Sequence, residues 1–399
     1  MTAPTTANDP ATCRHYVDWV RVLAFFLLIG FHSAMPFVDH PWEVKNAETS
    51  AALTSFIWWL HQWRLPLLFF ISGVGIHFSL QRRSVRAFAG ERVIRLFIPL
   101  LFAMFFTIPL QVYFEKLQKG LIPAGYAQFY PTVWTFIPYP DGTLSWSHMW
   151  FVVYLFVFCI ILLPVFALFR LPAFGRAKVA VASFFSHPTE LVSLFLPLML
   201  LFFTLYLPYP EQASLLDDWF LFLKSLLMLL YGYLLGGSDC FWASCERFRY
   251  RYLFLSLVTM VLLFQGYWWD MQMPKEKGFD LYRYGLLDAL HIWSTILTIL
   301  GFAKRYLNRP NRFLQWANEA VYPFYILHQT VIVAFGYYIV QWPLPIWVKL
   351  PVLLILTVIT LFAVYALLIR PFRLTRMLYG MKNRKLPGKM ADARMVQKA

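Results

Sequence analysis

Long apolar segments separated by short polar connections run through almost the whole chain. Ten of them hold roughly 17 to 30 residues each, the length that an α-helix needs to cross a bilayer. None shows the ten-residue alternation of a membrane strand, so each is predicted to be helical. The sequence therefore predicts an all-α, polytopic integral membrane protein with about ten transmembrane helices, at Val17–Val38, Ala51–Leu80, Leu96–Phe114, Met149–Phe169, Leu191–Leu207, Trp219–Gly236, Tyr252–Trp269, Tyr284–Phe302, Val321–Val340 and Ile346–Ile369.

The second segment, Ala51–Leu80, is longer than one crossing requires. Pro66 and the Ser72-Gly73 pair interrupt its apolar run. Proline and Gly/Ser pairs are common sites of helix kinks, and a long segment can also tilt. The sequence leaves a tilted helix, a kinked helix and a re-entrant break open at this point.

The composition agrees with lipid as the main solvent of the chain. Of 399 residues, 60% are hydrophobic, 20% are aromatic and only 14% are charged. A water-soluble fold cannot bury so large an apolar fraction, which excludes soluble, disordered and collagen-like proteins. We expect the lipid bilayer to be the main partner and nucleic acid not to be one, although the formal net charge is +15.

Positive charge alternates between successive connections. One set of connections, together with the tails, holds 25 Lys and Arg residues, whereas the opposite set holds 6 of them beside 11 acidic residues. Cytoplasmic loops of membrane proteins retain Lys and Arg, so the first set is predicted to be cytoplasmic. Both termini lie in that set. The four cysteines, Cys13, Cys159, Cys240 and Cys245, fall inside a segment or on this side, and their spacing predicts neither a disulfide nor a zinc site.

The first segment contains a stripe of ionisable residues. Asp18 and Arg21 are three residues apart, and Arg21 and His32 are eleven apart, so at 100° per residue all three share one helix face. A charged side chain at membrane depth costs about 2.5 to 3.5 kcal/mol on insertion scales. The stripe is therefore predicted to face the protein interior, with Arg21 near the cytoplasmic end and His32 about 16 Å further outward.

Other ionisable residues are predicted to meet His32 at a similar depth. His61 and Arg64 lie three residues apart on the second segment, which runs back from the outer side. They predict an outward-facing polar pocket. Further candidates for the pocket are His148, Lys224, Asp288 and His291. His328, by contrast, lies in the part of the ninth segment that is nearer the cytoplasmic side.

Several short motifs follow one another in order along the chain. They are Tyr16-Val17-Asp18 with Arg21 and His32, His61-x2-Arg64, Phe69-Phe70-Ile71-Ser72-Gly73, Glu91-Arg92-Val93-Ile94-Arg95, Ser147-His148-Met149-Trp150-Phe151 and Tyr325-Ile326-Leu327-His328. Together they resemble the acyltransferase 3 family of integral membrane proteins, and the last two are similar to motifs of its glucan-modifying branch. The resemblance implies an acyltransferase 3 membrane domain over residues 15–370, between a cytoplasmic tail at 1–14 and a basic cytoplasmic tail at 371–399.

The resemblance also implies an activity. A multi-pass protein of the bacterial inner membrane would move a succinyl or acetyl group from cytoplasmic acyl-CoA to a hydroxyl of an extracytoplasmic carbohydrate, such as a periplasmic glucan. Acyl-CoA would be a co-substrate, with no permanently bound cofactor and no metal. Direct attack and an acyl-histidine intermediate both stay open.

Roles for individual residues follow from the same resemblance. His32 would act as general base, because a neutral imidazole can take a proton from an attacking hydroxyl. The remaining predicted catalytic residues are Arg21, Asp18, His61 and Arg64; the predicted substrate-binding residues are His148, Asp288 and His328; and the predicted acyl-CoA-binding residues are Arg82, Arg83, Arg92 and Arg95.

Two other functions fit the ionisable residues taken alone. A secondary transporter of a sugar or an anion also places charges near the membrane midplane. A b-type cytochrome could use two histidines at matched depth as haem ligands. Transporters often contain inverted repeats, and none is evident in this sequence; a colourless purified protein would exclude the cytochrome.

Overall fold

The computed structural model describes residues 14–382, which form helices joined by loops. Within that range no strand is present beyond an isolated bridge between Pro138 and Leu144. The principal helices are α1 (His15–Ala34), α2 (Ala51–Gln81), α3 (Val85–Gln118), α4 (Trp150–Ile161), α5 (Leu163–Leu168), α6 (Pro172–Phe184), α7 (Pro188–Leu205), α8 (Trp219–Leu235), α9 (Asp239–Arg247), α10 (Arg249–Leu263), α11 (Phe279–Tyr306), α12 (Arg312–Ile339), α13 (Ile346–Ile369) and α14 (Arg373–Leu378).

The all-α, polytopic prediction is confirmed at the level of fold class. Each of the ten predicted segments is helical over most of its length. Among the described residues, six helices are long and apolar enough to cross a membrane, and α8 with α9, which meet at a bend of 106°, would make a seventh. These six are α1, α2, α3, α7, α11 and α13. The fourth predicted segment is divided at Leu162 into α4 and α5, so neither piece reaches that length alone.

Helix α2 is continuous. It runs for 31 residues through Pro66 and Gly73, so the re-entrant alternative requires a break that the structure lacks. At a rise of about 1.5 Å per residue it is about 46 Å long, which exceeds the thickness of a hydrocarbon core of about 30 Å. Its ends therefore extend beyond the hydrocarbon layer or the helix tilts within it.

Helices α2 and α8 pack backbone to backbone. Gly73 of α2 faces the backbone oxygen of Leu229, and Gly232 of α8 faces the backbone oxygen of Phe70. A Cβ atom at either glycine would overlap the facing carbonyl group. Small residues let membrane helices approach this closely, and so this contact fixes the position of α2, which carries His61 and Arg64.

Helix α1 packs along α12. The ring centres of Phe25 and Tyr325 are 5.6 Å apart. At the start of α1, Nη1 of Arg14 donates to the backbone oxygen of Gly236 at 2.5 Å, and its Nη2 donates to Asp239 at 2.7 Å. These contacts hold α1 against α12 and against the connection between α8 and α9.

The connections form two opposite faces. The chamber face contains the connections at 35–50, 119–149, 206–218 and 269–278, between helix ends that surround a large cavity. The basic face contains the connections at 82–84, 169–171, 236–238 and 307–311, together with α14. Contacts tie the basic face together: Arg170 donates to the backbone oxygens of Leu80 and Arg83, and Lys304 lies 3.3 Å from Glu246.

The predicted tails lie largely outside the described residues, as does Cys13. Residues 371–382 are described, and they include α14. Within the described range Cys159, Cys240 and Cys245 are free thiols. The first and last are buried, and Cys240 is exposed on the basic face.

Candidate active site

A cavity of about 640 Å³ opens at the chamber face. A volume of this size is typical of a small-molecule site. It brings together four of the predicted site residues from three separate parts of the chain: His32, His61, Arg64 and His148. We call this cavity the chamber. Its wall also includes Trp42, Glu43, Trp58, Gln111, Glu115, Tyr139, Ser147, Trp150, Glu211 and Gln329.

His32 is paired with His328 across the contact between α1 and α12. Nδ1 of His328 lies 2.6 Å from the backbone oxygen of Tyr325, and Nε2 of His328 lies 2.7 Å from Nδ1 of His32. A carbonyl oxygen only accepts, so Nδ1 of His328 carries the proton, and Nε2 of the neutral ring accepts from Nδ1–H of His32. Nε2 of His32 is then unprotonated and able to act as a base.

His148 is the third member of this histidine cluster. Its ring centre is 5.2 Å from that of His328, and the two rings are nearly perpendicular. Nε2 of His148 lies 3.3 Å from the backbone oxygen of Ile326, and Gln111 Nε2 lies 3.4 Å from its Nδ1. The carbonyl fixes the proton on Nε2 and leaves Nδ1 as the acceptor for Gln111. Both nitrogens of His148 are therefore already engaged within the protein.

Arg64 is a buried guanidinium with unused donors. The side chain is 2% exposed, and neither Nε nor Nη1 has a hydrogen-bond partner among the described residues. Its guanidinium carbon lies 3.6 Å from the centre of the Phe31 ring, one residue before His32. Donors of a buried charged group are costly to leave unpaired. The arrangement is suited to binding an oxyanion or a carboxylate inside the chamber.

His61 contacts Glu211, which forms an ion pair with Lys224 at the wall of the chamber. Its Nε2 lies 3.3 Å from Oε2 of Glu211, and Oε1 of the same carboxylate is paired with Lys224. Burial favours the neutral acid, but the ammonium of Lys224 and the contact with His61 hold the pKa of Glu211 below its ordinary value. The sequence indicated Lys224 as a candidate pocket residue. In the structure it is buried and supports Glu211.

A network of uncharged polar groups surrounds Glu43, in the connection after α1. Gln329 Nε2 donates to Oε1 of Glu43 at 2.6 Å, and Ser147 Oγ donates to Gln111 Oε1 at 2.9 Å. The second oxygen of Glu43, Oε2, is buried without a partner among the described residues. Burial raises the pKa of Glu43 to about 7. Glu43 thus places a carboxyl group at the wall of the chamber, and its Oε2 is available to bind a ligand.

A narrow apolar slot lies between α1 and α12, below the histidine pair. It contains about 10 Å³ of free space, close to the volume that one water molecule needs. Its walls end at His328 on one side and at Ala317, next to Asn318, on the other. Its remaining wall residues are Phe25, Phe26, Leu28, Ile29, Ala320, Val321, Phe324 and Tyr325.

Arg21 marks the other end of this slot. Its Nη2 lies 2.8 Å from Oδ1 of Asp18 and 2.6 Å from Oδ1 of Asn318. Asn318 and His328 both belong to α12, so Arg21 and His32 turn the same face of α1 towards one helix. The structure thus agrees with the shared face derived from the spacing. Arg21 and Asp18 do not reach the chamber, and their side chains are about 39% and 36% exposed at the basic face.

The loop arginines gather around one carboxylate on the basic face. Glu91 is paired with Arg83, lies 3.3 Å from Nη1 of Arg95 and lies 3.8 Å from Nη2 of Arg92. Nε of Arg92 is buried without a partner among the described residues. Arg82, at the end of α2, is exposed beside them. Cations are therefore in excess over anions at this end of the molecule.

Comparison with known proteins gives one family. A sequence model of the family described as "Acyltransferase domain" matches residues 14–369, which is most of the chain. The chain belongs to this acyltransferase family. Membership identifies the protein as an enzyme that transfers acyl groups, as the ordered motifs indicated, and it favours this activity over transport and haem binding.

Two curated relatives of this acyltransferase carry the same name. "Glucans biosynthesis protein C" of Escherichia coli (strain K12) and of Escherichia coli O6:K15:H31 (strain 536 / UPEC) are each 30% identical to it over 152 residues. The match covers 37% of this chain and 37% of each relative. No solved structure matches the acyltransferase significantly.

Two predicted substrate-binding residues of the acyltransferase lie behind the chamber wall. Asp288 is 5% exposed and has an unpartnered Oδ1 among the described residues, yet it does not line the chamber. His328 is fully buried and contacts His32. The structure therefore gives neither residue a direct contact with the chamber. His291, predicted as a further pocket residue, is buried and receives a hydrogen bond from Trp59 at 3.1 Å.

Sequence reasoning did not select Glu43, Gln111, Glu211 or Gln329. Glu43 and Glu211 lie in connections, where they contributed only to the count of acidic residues. Gln111 and Gln329 lie within helices, and an uncharged amide in an apolar helix was the signal that could have indicated them. In a membrane such a group needs an internal hydrogen-bond partner.

Proposed function

We propose that this acyltransferase crosses the bacterial inner membrane ten times, with both termini and the basic face in the cytoplasm. The split of 25 to 6 positive residues between the two sets of connections supports this orientation. The chamber face then points to the periplasm. The remaining four crossings would be formed by α4 with α5, by α8, by α10 and by α12.

We further propose that the reaction is O-acyl transfer from cytoplasmic acyl-CoA to a hydroxyl of a periplasmic carbohydrate. The name of the relatives supports a glucan as acceptor. The chamber wall supports a sugar, because it combines aromatic rings with amide and carboxyl groups that can bind hydroxyls. Trp42, Trp58, Tyr139 and Trp150 supply the rings. A succinyl or an acetyl group is the proposed cargo.

In the proposed reaction His32 acts as base and then as acid. The acceptor oxygen attacks the thioester carbon while Nε2 of His32 takes the hydroxyl proton. The hydrogen bond from Nδ1–H to His328 stabilises the imidazolium that forms, as an orienting partner does in other histidine-based sites. The tetrahedral intermediate then loses the thiolate, which receives the proton from His32. An ester and free CoA result, and His32 is neutral again.

Arg64 is proposed to stabilise the negative charge on the thioester oxygen. Its unpartnered donors lie in a buried setting, where each charged hydrogen bond is stronger than in water. His61 is proposed to hold the acceptor, since Glu211 fixes its position at the wall. His148, the third ring of the cluster, is held by the Ile326 carbonyl and by Gln111 and is proposed to pack against His328.

On the cytoplasmic side, Arg21 and the loop arginines are proposed to bind the donor. The thin pantetheine arm would pass between α1 and α12 along the apolar slot, which would widen to admit it. The distance from Arg21 to His32 along α1 is about 16 Å, within the reach of an extended arm.

One observation carries this proposal: an imidazole with a free Nε2, oriented by His328 and the Tyr325 carbonyl, lies at the wall of a chamber. The test is acyl transfer to an oligoglucan by purified protein with His32→Ala. We expect a loss of about 10²- to 10⁴-fold in kcat, the usual contribution of a general base. The variant should elute and melt as the native protein does. Normal turnover by this folded variant would refute the assignment.

A further inference from the structure

The described end of the chain folds back onto the basic face. Arg376 of α14 is 4% exposed, and its Nη2 lies 2.8 Å from Glu319 of α12. The same nitrogen donates to the backbone oxygen of Lys382 at 2.7 Å. One buried guanidinium therefore holds α14 against α12 and fixes the backbone of Lys382. We call residues 373–382 the C-terminal strap.

The strap also packs against α3. Nε of Arg95 donates to the backbone oxygen of Gly380 at 3.2 Å, and the rings of Phe102 and Tyr379 are 5.2 Å apart. Gly380 has φ of +66° and lies against the ring of Tyr322, where a Cβ atom would overlap. Tyr379 and Met381 on either side of it are buried. A positive φ together with this close approach requires glycine, and the turn directs the chain towards the arginines.

Lys382 enters a field of positive charge. Burial and the neighbouring guanidinium groups lower its pKa. These groups belong to Arg21 of α1, to Arg82 and Arg83 just after α2, and to Arg95 of α3. Arg95 donates to Gly380 of the strap and shares Glu91 with Arg83, so the strap meets the connection between α2 and α3. With Lys382 these groups form what we call the basic cluster: Arg21, Arg82, Arg83, Arg95 and Lys382.

Anionic side chains within residues 14–382 do not balance the charge of this cluster. Asp18 is paired with Arg21, and Glu91 is shared between Arg83 and Arg95. Like charges held together are unfavourable unless a counter-charge joins them. The folding of the strap adds one more cation at this place, which would be unfavourable without an anionic ligand. Several cations around a single space match a ligand with several phosphate groups.

We propose that the basic cluster binds the phosphate groups of the nucleotide part of the acyl donor, and that the strap supplies Lys382 to this site. The inference rests on the proposed function in taking acyl-CoA as the donor. It adds a binding residue from the C-terminal segment, which the sequence presented only as a tail. Lys382 contacts the nucleotide end of the donor and is remote from the reacting atoms.

Two donors test the proposal in purified full-length protein: acyl-CoA, and the matching acyl-pantetheine, which has the same thioester and arm but no nucleotide. Lys382→Gln should raise KM for acyl-CoA about 3- to 10-fold, the range expected for one partly exposed charged contact. We expect kcat to stay unchanged, and KM for acyl-pantetheine to stay unchanged as well. Lys382→Arg should restore most of the affinity.

The matched control is Arg373→Gln, which removes a positive charge from the exposed start of the same strap. It should leave both KM values unchanged. Equal effects of Lys382→Gln on the two donors, or no effect on either, would overturn the proposal. Assays in nanodiscs of neutral and of anionic lipid identify the source of the phosphate. An effect that occurs only with anionic lipid would assign the cluster to headgroups and overturn the nucleotide assignment.

Binding of adenosine 3′,5′-bisphosphate, measured by calorimetry, separates this inference from the proposed reaction. Wild-type protein that binds the bisphosphate more tightly than Lys382→Gln, but transfers no acyl group from either donor, would support the site and contradict the reaction. Acyl transfer by a protein whose bisphosphate affinity does not change with Lys382→Gln would support the reaction and contradict the site.

Discussion

At the scale of single residues, the site depends on one chain of hydrogen bonds that runs in a single direction. A backbone carbonyl at Tyr325 can only accept, so it sets the proton position on His328, and His328 sets that on His32. The usual third group in such an arrangement is a carboxylate. Here a neutral ring and a peptide group fill that place, which avoids burying a charge next to the proposed base, His32.

The orienting role of His328 can be tested by comparing two substitutions. His328→Phe keeps the ring but removes the acceptor, so His32 loses its fixed tautomer. We expect kcat to fall by about 10²-fold or more, with KM for both substrates within about twofold. His328→Gln offers an amide oxygen to Nδ1–H of His32 and should retain more of the activity.

The control for this pair is His187→Phe, because His187 is exposed in the connection between α6 and α7 and lies outside the chamber wall. It should leave kcat unchanged. Equal losses for His328→Phe and His328→Gln, with native melting curves, would mean that the acceptor at this position does not matter.

Glu43 gives a prediction about pH. Its pKa is raised by burial from an ordinary value of 4.5 to about 7, so the folded state binds a proton that the unfolded state releases. Stability is therefore higher where the group is neutral, and it falls as pH rises from about 5 to about 7. Glu43→Gln should flatten this fall and raise the melting temperature at about pH 8. The measurement is thermal unfolding in detergent across this range. A steeper fall in the variant would contradict the sign.

Residue spacing predicted one half of the site and missed the other. The separation of eleven positions from Arg21 to His32 predicted a common helix face, and the contacts with Asn318 and His328 agree with it. Depth alone placed His61 near His32. The partner of Glu211 and the partner of Glu43 depend on how connections fold over the chamber, and spacing within a helix carries no information on that. His328 was predicted to bind the substrate because its depth in the membrane followed from the sequence, whereas its contact with His32 did not.

At the scale of elements, the contact between α2 and α8 decides where His61 and Arg64 lie. Gly73→Ala places a methyl group against the Leu229 carbonyl, so the helices must separate. We expect a loss of about 1 to 3 kcal/mol in stability, seen as a lower melting temperature in detergent. Gly75→Ala is the matched control, two residues along the same helix, where no atom lies within 4 Å. It should melt at the same temperature or slightly higher, because alanine favours a helix over glycine.

Should both variants melt alike, close packing at Gly73 would not limit stability. Activity offers a second readout of the same contact. Gly73→Ala should also lower transfer, since a displaced α2 moves Arg64 away from the thioester oxygen that it is proposed to stabilise.

The positions of most helices followed from hydropathy, whereas their internal irregularities did not. Helix α3 contains two π-helical turns, at Val93–Phe97 and Ala103–Thr107. The second turn presents the backbone oxygen of Thr107 to Thr330 Oγ1 at 3.1 Å, beside the hydrogen bond between Thr330 and Gln111. Such turns are frequent near functional sites. One extra residue in a turn leaves an apolar segment apolar, so hydropathy cannot reveal it.

At the scale of the whole molecule, the sidedness of the two faces governs the proposed direction of transfer. Cys240 is exposed on the basic face, whereas Cys159 and Cys245 are buried. In a Cys13→Ser background, a membrane-impermeant maleimide should therefore label Cys240 in inside-out vesicles and not in right-side-out vesicles. Thr49→Cys, at an exposed position of the chamber face, should give the opposite pattern. Labelling of Cys240 in right-side-out vesicles would reverse the proposed orientation.

The tightness of the slot between α1 and α12 has a consequence for the energy supply of the cell. An enzyme proposed to move acyl groups across an energised membrane must not leak ions, because each elementary charge that crosses dissipates about 2.3 kcal/mol per 100 mV of membrane potential. With about 10 Å³ of free space and apolar walls, the slot cannot hold a file of water or solvate an ion. We therefore expect the idle enzyme to act as an electrical insulator between two wet compartments.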